Sequence, residues 1–109
     1  MVIEHLTLHI PLALRQRFLK ADGEVWTATL AARPGFLGKE TWADATDPET
    51  LHLIIRWQTR AAWKAVPAAL LNEANARMTA AMGQPCPVLT CTDLDVLDPH
   101  QRHPGPPAA

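Results

Sequence analysis

Two glutamates on predicted strands, Glu4 and Glu40, are the side chains best suited to chemistry on a small molecule. In the first predicted strand, alternation places Glu4 on the same face as Leu6 and Leu8. In the second predicted strand, it places Glu40 on the same face as Trp42, and we expect both of these strand faces to meet the helices. A buried carboxylate must pair with a cation, reach solvent or have a raised pKa, which suits a general base. We predict Glu40 as a catalytic base and Glu4 as a pocket residue. The alternative is that Glu4 lies at a frayed strand start and Glu40 pairs with Lys or Arg across strands.

Tryptophans are the second group of interest, because the chain has 4 Trp and no Tyr. Indole rings offer flat stacking faces and N–H donors to an aromatic ligand. We predict a cavity for such a ligand, lined by Trp26, Trp42, Trp57 and Trp63. The alternative, favoured for Trp57 and Trp63, is that they only fill the core at a corner between a strand and a short helix.

Three histidines lie on predicted strands, and parallel pairing of the first and third strands would put His5, His9 and His52 on one face. His5 and His9 lie four residues apart, about 13 Å along a strand, too far to share one ion. We therefore predict no metal site. We assign these histidines and Arg56 to a sheet face that contacts a second copy of the chain. Because histidine titrates near neutral pH, we expect that homodimer to weaken below about pH 6.5.

The elements that must position these residues follow from the hydrophobic periodicity, which predicts strand, helix, strand, strand, helix, strand. This order predicts an α+β fold, a four-stranded sheet with its helices on one face. Gly38 inside a strand indicates a bulge or a close approach. Thr59 is a candidate cap for a short helix that Pro67 interrupts. The expected strands cover 2–10, 36–43, 50–58 and 86–97, and the expected helices cover 12–32, a short segment around Trp63, and 68–82.

Composition limits the classes of protein that fit. A chain of 109 residues with 48% hydrophobic content can bury one core. We expect a single domain over 1–97 and an extended or disordered Pro-rich tail over 98–109. A net charge of −1 without a basic cluster argues against nucleic-acid partners. The sequence shows no long apolar span and no leader at its amino terminus, so we expect a soluble cytoplasmic protein without a membrane partner. Cys86 and Cys91 are expected to be reduced thiols.

Several short segments resemble the antibiotic biosynthesis monooxygenase-like superfamily, and most closely a branch of small uncharacterised proteins found largely in cyanobacteria. They are Ala-Arg-Pro-Gly-Phe-Leu-Gly at 32–38, Lys-Glu-Thr-Trp at 39–42, Ile-Ile-Arg-Trp at 54–57 and Ala-Trp-Lys at 62–64. The resemblance covers residues 1 to about 97. It implies a ferredoxin-like βαββαβ protomer with an antiparallel sheet, pairing into a dimeric α+β barrel with a pocket between sheet and helices.

The resemblance leaves the chemistry open, because the superfamily includes cofactor-independent quinone-forming oxygenases, haem-degrading enzymes and proteins without established activity. The haem-degrading branch uses a His on the last helix, where this chain has Asn72 and Asn75 and no His. The quinone-forming branch uses Asn, Trp and Arg, of which Arg56 and Trp57 offer an incomplete set. We predict a protein that binds a small apolar or aromatic molecule and acts as a cofactor-independent oxygenase. The alternatives are a non-catalytic ligand-binding protein, a structural dimerisation module and a protein that binds or degrades haem.

Overall fold

The structure, a computed structural model, describes residues 1–98. It contains four β-strands: β1 (Val2–His9), β2 (Phe36–Ala43), β3 (Thr50–Trp57) and β4 (Val88–Asp95). They form one sheet in the order β2-β3-β1-β4, and every neighbouring pair is antiparallel. This arrangement confirms the predicted ferredoxin-like α+β fold. Of the predicted tail, all but Asp98 lies outside the described residues.

The pairing of β1 with β3 is antiparallel, so the parallel pairing assumed for the three histidines is wrong. The helical region between β1 and β2 explains why β1 and β3 run in opposite directions. It carries the chain back across the sheet so that β1 and β2 run the same way, and β3 then returns between them as a hairpin partner of β2. The antiparallel register still brings His5 and His52 onto the same face, because His5 pairs with Ile54 and Thr7 pairs with His52.

The first helical region is continuous but not uniform. A short 3₁₀ turn at Leu12–Leu14 leads into α1 (Arg15–Asp22), a π-helical segment follows at Gly23–Thr27, and α2 (Ala28–Ala31) ends the region. A π-helix adds a residue to the turn and recurs at functional sites. Here it lies immediately after Asp22, a buried acidic residue that is 3% exposed.

The second helical region is split, as the sequence predicts. Helix α3 (Arg60–Lys64) starts at Thr59, whose hydroxyl accepts a hydrogen bond of 3.1 Å from the backbone N–H of Ala62. Helix α4 (Ala68–Met82) begins after Pro67 and ends at Gly83, which has a left-handed φ of 75°. Thr59 thus pairs a backbone N–H at the start of α3, and the N–H of Gly83 pairs with the carbonyl oxygen of Thr79 at the end of α4.

The core lies between the helices and one face of the sheet. Phe18 and Trp57 have exposed fractions of 1% and 0%, and Ala74 of α4 is also fully buried at 0%. All residues of β4 are exposed, although the strand is paired to β1 along its length. The helical layer therefore covers the centre of the sheet and leaves its β4 edge open on both faces. No helix within residues 1–98 is long and apolar enough to cross a bilayer.

A bulge in β2 decides which of its side chains meet the helices. Phe36 pairs with Trp57 and Gly38 pairs with Arg56, so Leu37 is the extra residue. After the bulge, Lys39 and Thr41 of β2 lie on the helix-facing side of the sheet. Alternation puts the even-numbered residues of β2, from Gly38 to Trp42, on the other side of the sheet. This other side is called the open face below; it consists of Gly38, Glu40, Trp42, His52, Ile54, Arg56, Ile3, His5, Thr7, Thr90, Thr92 and Leu94.

Candidate functional site

A cavity of about 490 Å³ lies between the helices and the sheet. This volume is within the range that holds a drug-sized molecule. The exposed residues of its lining mark the opening to solvent at the β4 edge, and they are Lys64, Leu71, Asn75, Val88 and Cys91. The interior is mostly apolar, with Leu6, Leu8, Leu53 and Ile55 from the sheet and Phe18 and Met78 from the helices. The cavity can therefore take an apolar ligand with few, well-placed polar groups.

Glu4 is the partly buried carboxylate on the sheet side of this cavity. Its Oε1 accepts a hydrogen bond of 3.1 Å from the indole Nε1 of Trp57. Burial raises the pKa of Glu4 above its ordinary value of 4.5, although hydrogen bonds from Trp57 and Trp63 and the charges of Lys64 and Lys39 oppose the shift. A carboxylate with a raised pKa, held in place by a fixed donor, is suited to accept a proton from a bound molecule.

Three of the four tryptophans line the cavity: Trp26, Trp57 and Trp63. Trp57 is also a core residue, since its ring packs edge-on against Phe36 at 5.8 Å between centroids. Trp63 stacks under the ammonium of Lys64, which lies 3.9 Å from the ring centroid. Trp57 and Trp63 therefore combine the two alternatives that the sequence left open, core packing and cavity lining.

Glu40 and Trp42 do not line the cavity, so the predicted placement of both residues is wrong. The bulge at Leu37 turns them to the open face, where one oxygen of Glu40 accepts a 2.9 Å hydrogen bond from Trp42 Nε1 and the other pairs with Arg56 at 2.5 Å. The hydrogen bond from Trp42, together with Arg56, lowers the pKa of Glu40. This cross-strand ion pair is the alternative stated for Glu40, and the structure gives it no access to a cavity ligand.

A buried ion pair that sequence reasoning missed also lines the cavity. Nζ of Lys39 lies 2.5 Å from Oδ2 of Asp22, and the two side chains are only 3% and 5% exposed. Lys39 also donates to the hydroxyl of Thr27 at 3.2 Å. The π-helical segment Gly23–Thr27 connects both acceptors. Lysine in a strand usually reaches solvent, so the only signal in the sequence was its position one residue after Gly38, the suspected bulge.

Three of the four predicted dimer-face residues, His5, His52 and Arg56, lie on the open face. Nε2 of His5 is 2.8 Å from Nδ1 of His52, and Nε2 of His52 is 3.0 Å from a carboxylate oxygen of Asp44. Because Asp44 accepts, the Nε2 of His52 carries the proton and its Nδ1 accepts from His5. His9 lies at the end of β1, 3.7 Å from Glu49. These contacts assemble the face within one protomer; the second copy remains a prediction.

No cluster of three or more His, Cys, Asp or Glu within residues 1–98 has the arrangement of a metal site. Cys86 and Cys91 are free thiols that both line the cavity, and burial raises the pKa of each. A raised pKa keeps a thiol protonated and poorly nucleophilic at neutral pH. The charged groups through which the lining can act on a ligand are therefore Glu4, the pair formed by Asp22 and Lys39, and the exposed Lys64.

Comparison with known proteins identifies the family. Residues 1–66 match the antibiotic biosynthesis monooxygenase family. The chain belongs to this family. The match spans β1, the first helical region, β2, β3 and α3, which together carry Glu4, Asp22, Lys39 and Trp57. No curated protein matches the chain significantly.

Solved structures share the fold of this antibiotic biosynthesis monooxygenase family member at low sequence identity. A variant of SnoaB, a cofactor-independent oxygenase from Streptomyces nogalater, is 15% identical, with a TM-score of 0.65 over 95% of this chain and 97% of that one. A protein from Deinococcus radiodurans, provisionally named an antibiotic biosynthesis monooxygenase, is 16% identical, with a TM-score of 0.66 over 94% and 99%. A conserved protein from Methanosarcina mazei is 11% identical, with a TM-score of 0.61 over 84% and 88%. At these identities the similarity shows the fold alone.

Proposed function

We propose that this protein binds a small aromatic molecule in the cavity and oxygenates it with dioxygen, without a cofactor, using Glu4 as the base. The observation that carries the proposal is the carboxylate of Glu4, held by Trp57 in an apolar cavity beside Trp63. Family membership and the structural similarity to a cofactor-independent oxygenase support the same chemistry.

The proposed reaction needs only the substrate, dioxygen and a base. Glu4 takes a proton from an acidic ring carbon that carries two hydrogens, and the resulting carbanion gives one electron to dioxygen. The substrate radical and superoxide combine, and Glu4 returns its proton to give a hydroperoxide. Loss of the second hydrogen as a proton and cleavage of the O–O bond then release water and leave a carbonyl. One oxygen atom enters the product, the other leaves as water, and dioxygen takes four electrons.

The first role of the protein in this scheme is electrostatic. The charges of Lys39 and Lys64 act on Glu4 and stabilise negative charge in the cavity, including that of a carbanion or superoxide. The second role is exclusion of water by the apolar lining, which favours transfer of the proton back to the peroxide. Flat indole faces at Trp26 and Trp63 suit an extended aromatic ring system.

The test uses anthrone, whose bridging carbon carries two acidic hydrogens, as the probe. We expect the protein, purified with chelator and shown by its absorption spectrum to lack flavin and haem, to consume dioxygen and form anthraquinone with one ¹⁸O from ¹⁸O₂. Glu4→Gln should reduce kcat/KM by 10²-fold or more, in the range of a lost general base. Glu40→Gln removes a carboxylate of the same size on the open face and should leave turnover within about twofold.

The outcomes separate the function classes. Binding of anthrone to the wild-type protein without oxygen uptake would favour a ligand-binding protein and contradict the oxygenase. Absence of binding by isothermal titration calorimetry would contradict both and favour a structural module. Turnover that survives Glu4→Gln would remove Glu4 from its proposed role.

We also propose that two copies pair through the open face. Trp42 and Leu94 on this face are 48% and 44% exposed, which is high for large apolar side chains. They are interspersed with the polar contacts formed by Glu40, Arg56 and His52. A mixed face with an apolar part suits an isologous contact, in which the same residues meet across a twofold axis.

A further inference from the structure

The pair formed by Asp22 and Lys39 lies at the end of the cavity opposite its opening. Lys39 belongs to β2 and the opening lies at β4, and these strands are the two edges of the sheet. Three strand spacings separate them, a distance of about 14 Å. A ligand that enters past β4 and lies across β1 and β3 therefore passes Glu4 and presents its leading end to Asp22 and Lys39.

One oxygen of this pair has no partner. Oδ2 of Asp22 contacts Lys39, while Oδ1 is fully buried and accepts no hydrogen bond from any residue that the structure describes. Asp22 as a whole is 3% exposed and lines the cavity. Buried carboxylate oxygens are nearly always hydrogen-bonded, because burying an acceptor without a hydrogen-bond partner destabilises the folded state. The missing partner is explained if a donor on the ligand completes the site.

Lys39 supplies the complementary group. Its ammonium has three N–H donors, of which Asp22 and Thr27 accept two among the residues of the described part of the chain. Lys39 also lines the cavity. The pair thus offers a ligand one strong acceptor and one strong donor side by side.

We propose that Asp22 and Lys39 form a polar subsite that binds a neutral hydroxyl group at the leading end of the ligand. This inference rests on the proposed function, since it requires the cavity to bind a molecule. A hydroxyl group both donates and accepts, so it satisfies Oδ1 of Asp22 and the third N–H of Lys39 together.

The same geometry discriminates against other groups. A carboxylate has no proton to donate and meets the charge of Asp22, and an ammonium cannot accept from Lys39 and meets its charge. A hydrocarbon end leaves Oδ1 of Asp22 and the third N–H of Lys39 without a partner on the ligand. Discrimination by buried polar groups is strong for this reason, since the wrong ligand leaves them without partners.

The π-helical segment is the element that positions this subsite. Its widened turn follows Asp22 directly and contains Trp26, which lines the cavity, and Thr27, which accepts from Lys39. The positions of Asp22, Trp26 and Thr27 relative to one another therefore depend on one local departure from α-helical geometry.

The test compares three naphthalene probes by isothermal titration calorimetry at pH 7.5: 2-naphthol, 2-methylnaphthalene and 2-naphthoate. They share one ring system and differ in the group at a single position. We expect the wild-type protein to bind 2-naphthol at least tenfold more tightly than 2-methylnaphthalene, and 2-naphthoate more weakly than either. Equal affinities for naphthol and methylnaphthalene would overturn the subsite and leave the proposed function standing.

The variant Asp22→Ala/Lys39→Met removes both charges together, since loss of one partner would leave the other buried and unpaired. We expect its preference for 2-naphthol to fall below twofold while 2-methylnaphthalene still binds. Lys20→Met removes an exposed lysine of α1 outside the cavity lining and should keep the full preference. A double variant that retains the preference would overturn the proposal. If the double variant does not fold, the ranking of probes on the wild-type protein still decides. Failure of every probe to bind would instead contradict the proposed function, and the subsite with it.

Discussion

Trp57 donates its indole N–H to Glu4 across 3.1 Å, from a ring that is 0% exposed. The two residues lie on adjacent strands, since Glu4 pairs with Ile55 in the register of β1 and β3. A fully packed ring cannot turn away, so the carboxylate has a fixed donor in its ionised form. The contact thus limits the rise in the pKa of Glu4 that burial causes.

Replacing Glu4 with Gln tests, through the free energy of unfolding, whether burial outweighs the hydrogen bond from Trp57 in setting the pKa of Glu4. Because burial raises the folded-state pKa of Glu4 above 4.5, ionisation of Glu4 destabilises the fold. The penalty is absent below the unfolded pKa and fully present above the raised folded pKa. Glutamine never ionises and can still accept from Trp57. We expect the urea midpoint of Glu4→Gln, relative to wild type, to be higher at pH 7.5 than at pH 4.

Glu40→Gln is the matched control, and we expect the pH-dependent change in its urea midpoint to have the opposite sign. The hydrogen bond from Trp42 and the pairing with Arg56 lower the folded-state pKa of Glu40, so its ionisation stabilises the fold above the unfolded pKa. The urea midpoint of this variant, relative to wild type, should therefore be lower at pH 7.5 than at pH 4. Midpoint changes of the same sign for both glutamates would contradict the assignment of Glu4 to a desolvated site.

Replacing Trp57 with Phe should move the pH dependence of turnover. Phe keeps the edge-on packing against Phe36 but removes the donor to Glu4. The pKa of Glu4 rises further, because the ionised form loses a hydrogen bond. A base must be ionised, so the acidic limb of the kcat/KM profile with anthrone should shift to higher pH. Trp26→Phe alters a cavity tryptophan that does not hydrogen-bond to Glu4 and should leave the limb in place. An unshifted limb in Trp57→Phe would contradict the role of the contact.

The fold was predictable because its signals are local and repeated. Alternation identified all four strands to within two residues, and Thr59 and Pro67 marked helix ends where the structure has them. Thr59 acts through a hydroxyl that caps its own helix and Pro67 through its fixed backbone dihedral, and neither effect depends on distant contacts.

The site was predictable only in part, because its side chains depend on features that are not local. Glu4 was placed correctly by simple alternation from the start of β1. Glu40 and Trp42 were not, since the single extra residue Leu37 reverses every later side chain of β2. Gly38 indicated a bulge, but it did not indicate that the bulge would move the later side chains of β2 to the opposite face of the sheet. The contact between Asp22 and Lys39 joins a helix to a strand, and no periodicity reports such a pair.

Gly35→Ala should destabilise the fold strongly, which explains the Pro-Gly-Phe element in physical terms. Gly35 has a φ of +84°, and an added Cβ would lie 2.5 Å from the Cβ of Ala62 in α3. Left-handed strain and the clash together predict a loss of about 2–4 kcal/mol in the free energy of unfolding. Adding Ala62→Gly should relieve the clash but not the strain, so the double variant should recover only part of the loss.

The control for this prediction is Gly23→Ala in the π-helical segment. A Cβ on Gly23 would meet no atom within 4 Å, and Ala favours helix over Gly by about 1 kcal/mol. Chemical denaturation of all four proteins gives the comparison. A Gly35→Ala variant as stable as wild type would show that the turn relaxes, and the geometric explanation of the motif would fail.

Leu94→Glu should separate the two copies if the open face is the dimer contact. Leu94 pairs with Ile3 on that face, and in an isologous dimer each substitution places a charge in the interface twice. We expect native mass spectrometry and sedimentation velocity to show a wild-type dimer and a Leu94→Glu monomer. Leu19→Glu changes a leucine of similar exposure, 39%, on α1 and should remain dimeric. A wild-type monomer would contradict the pairing outright.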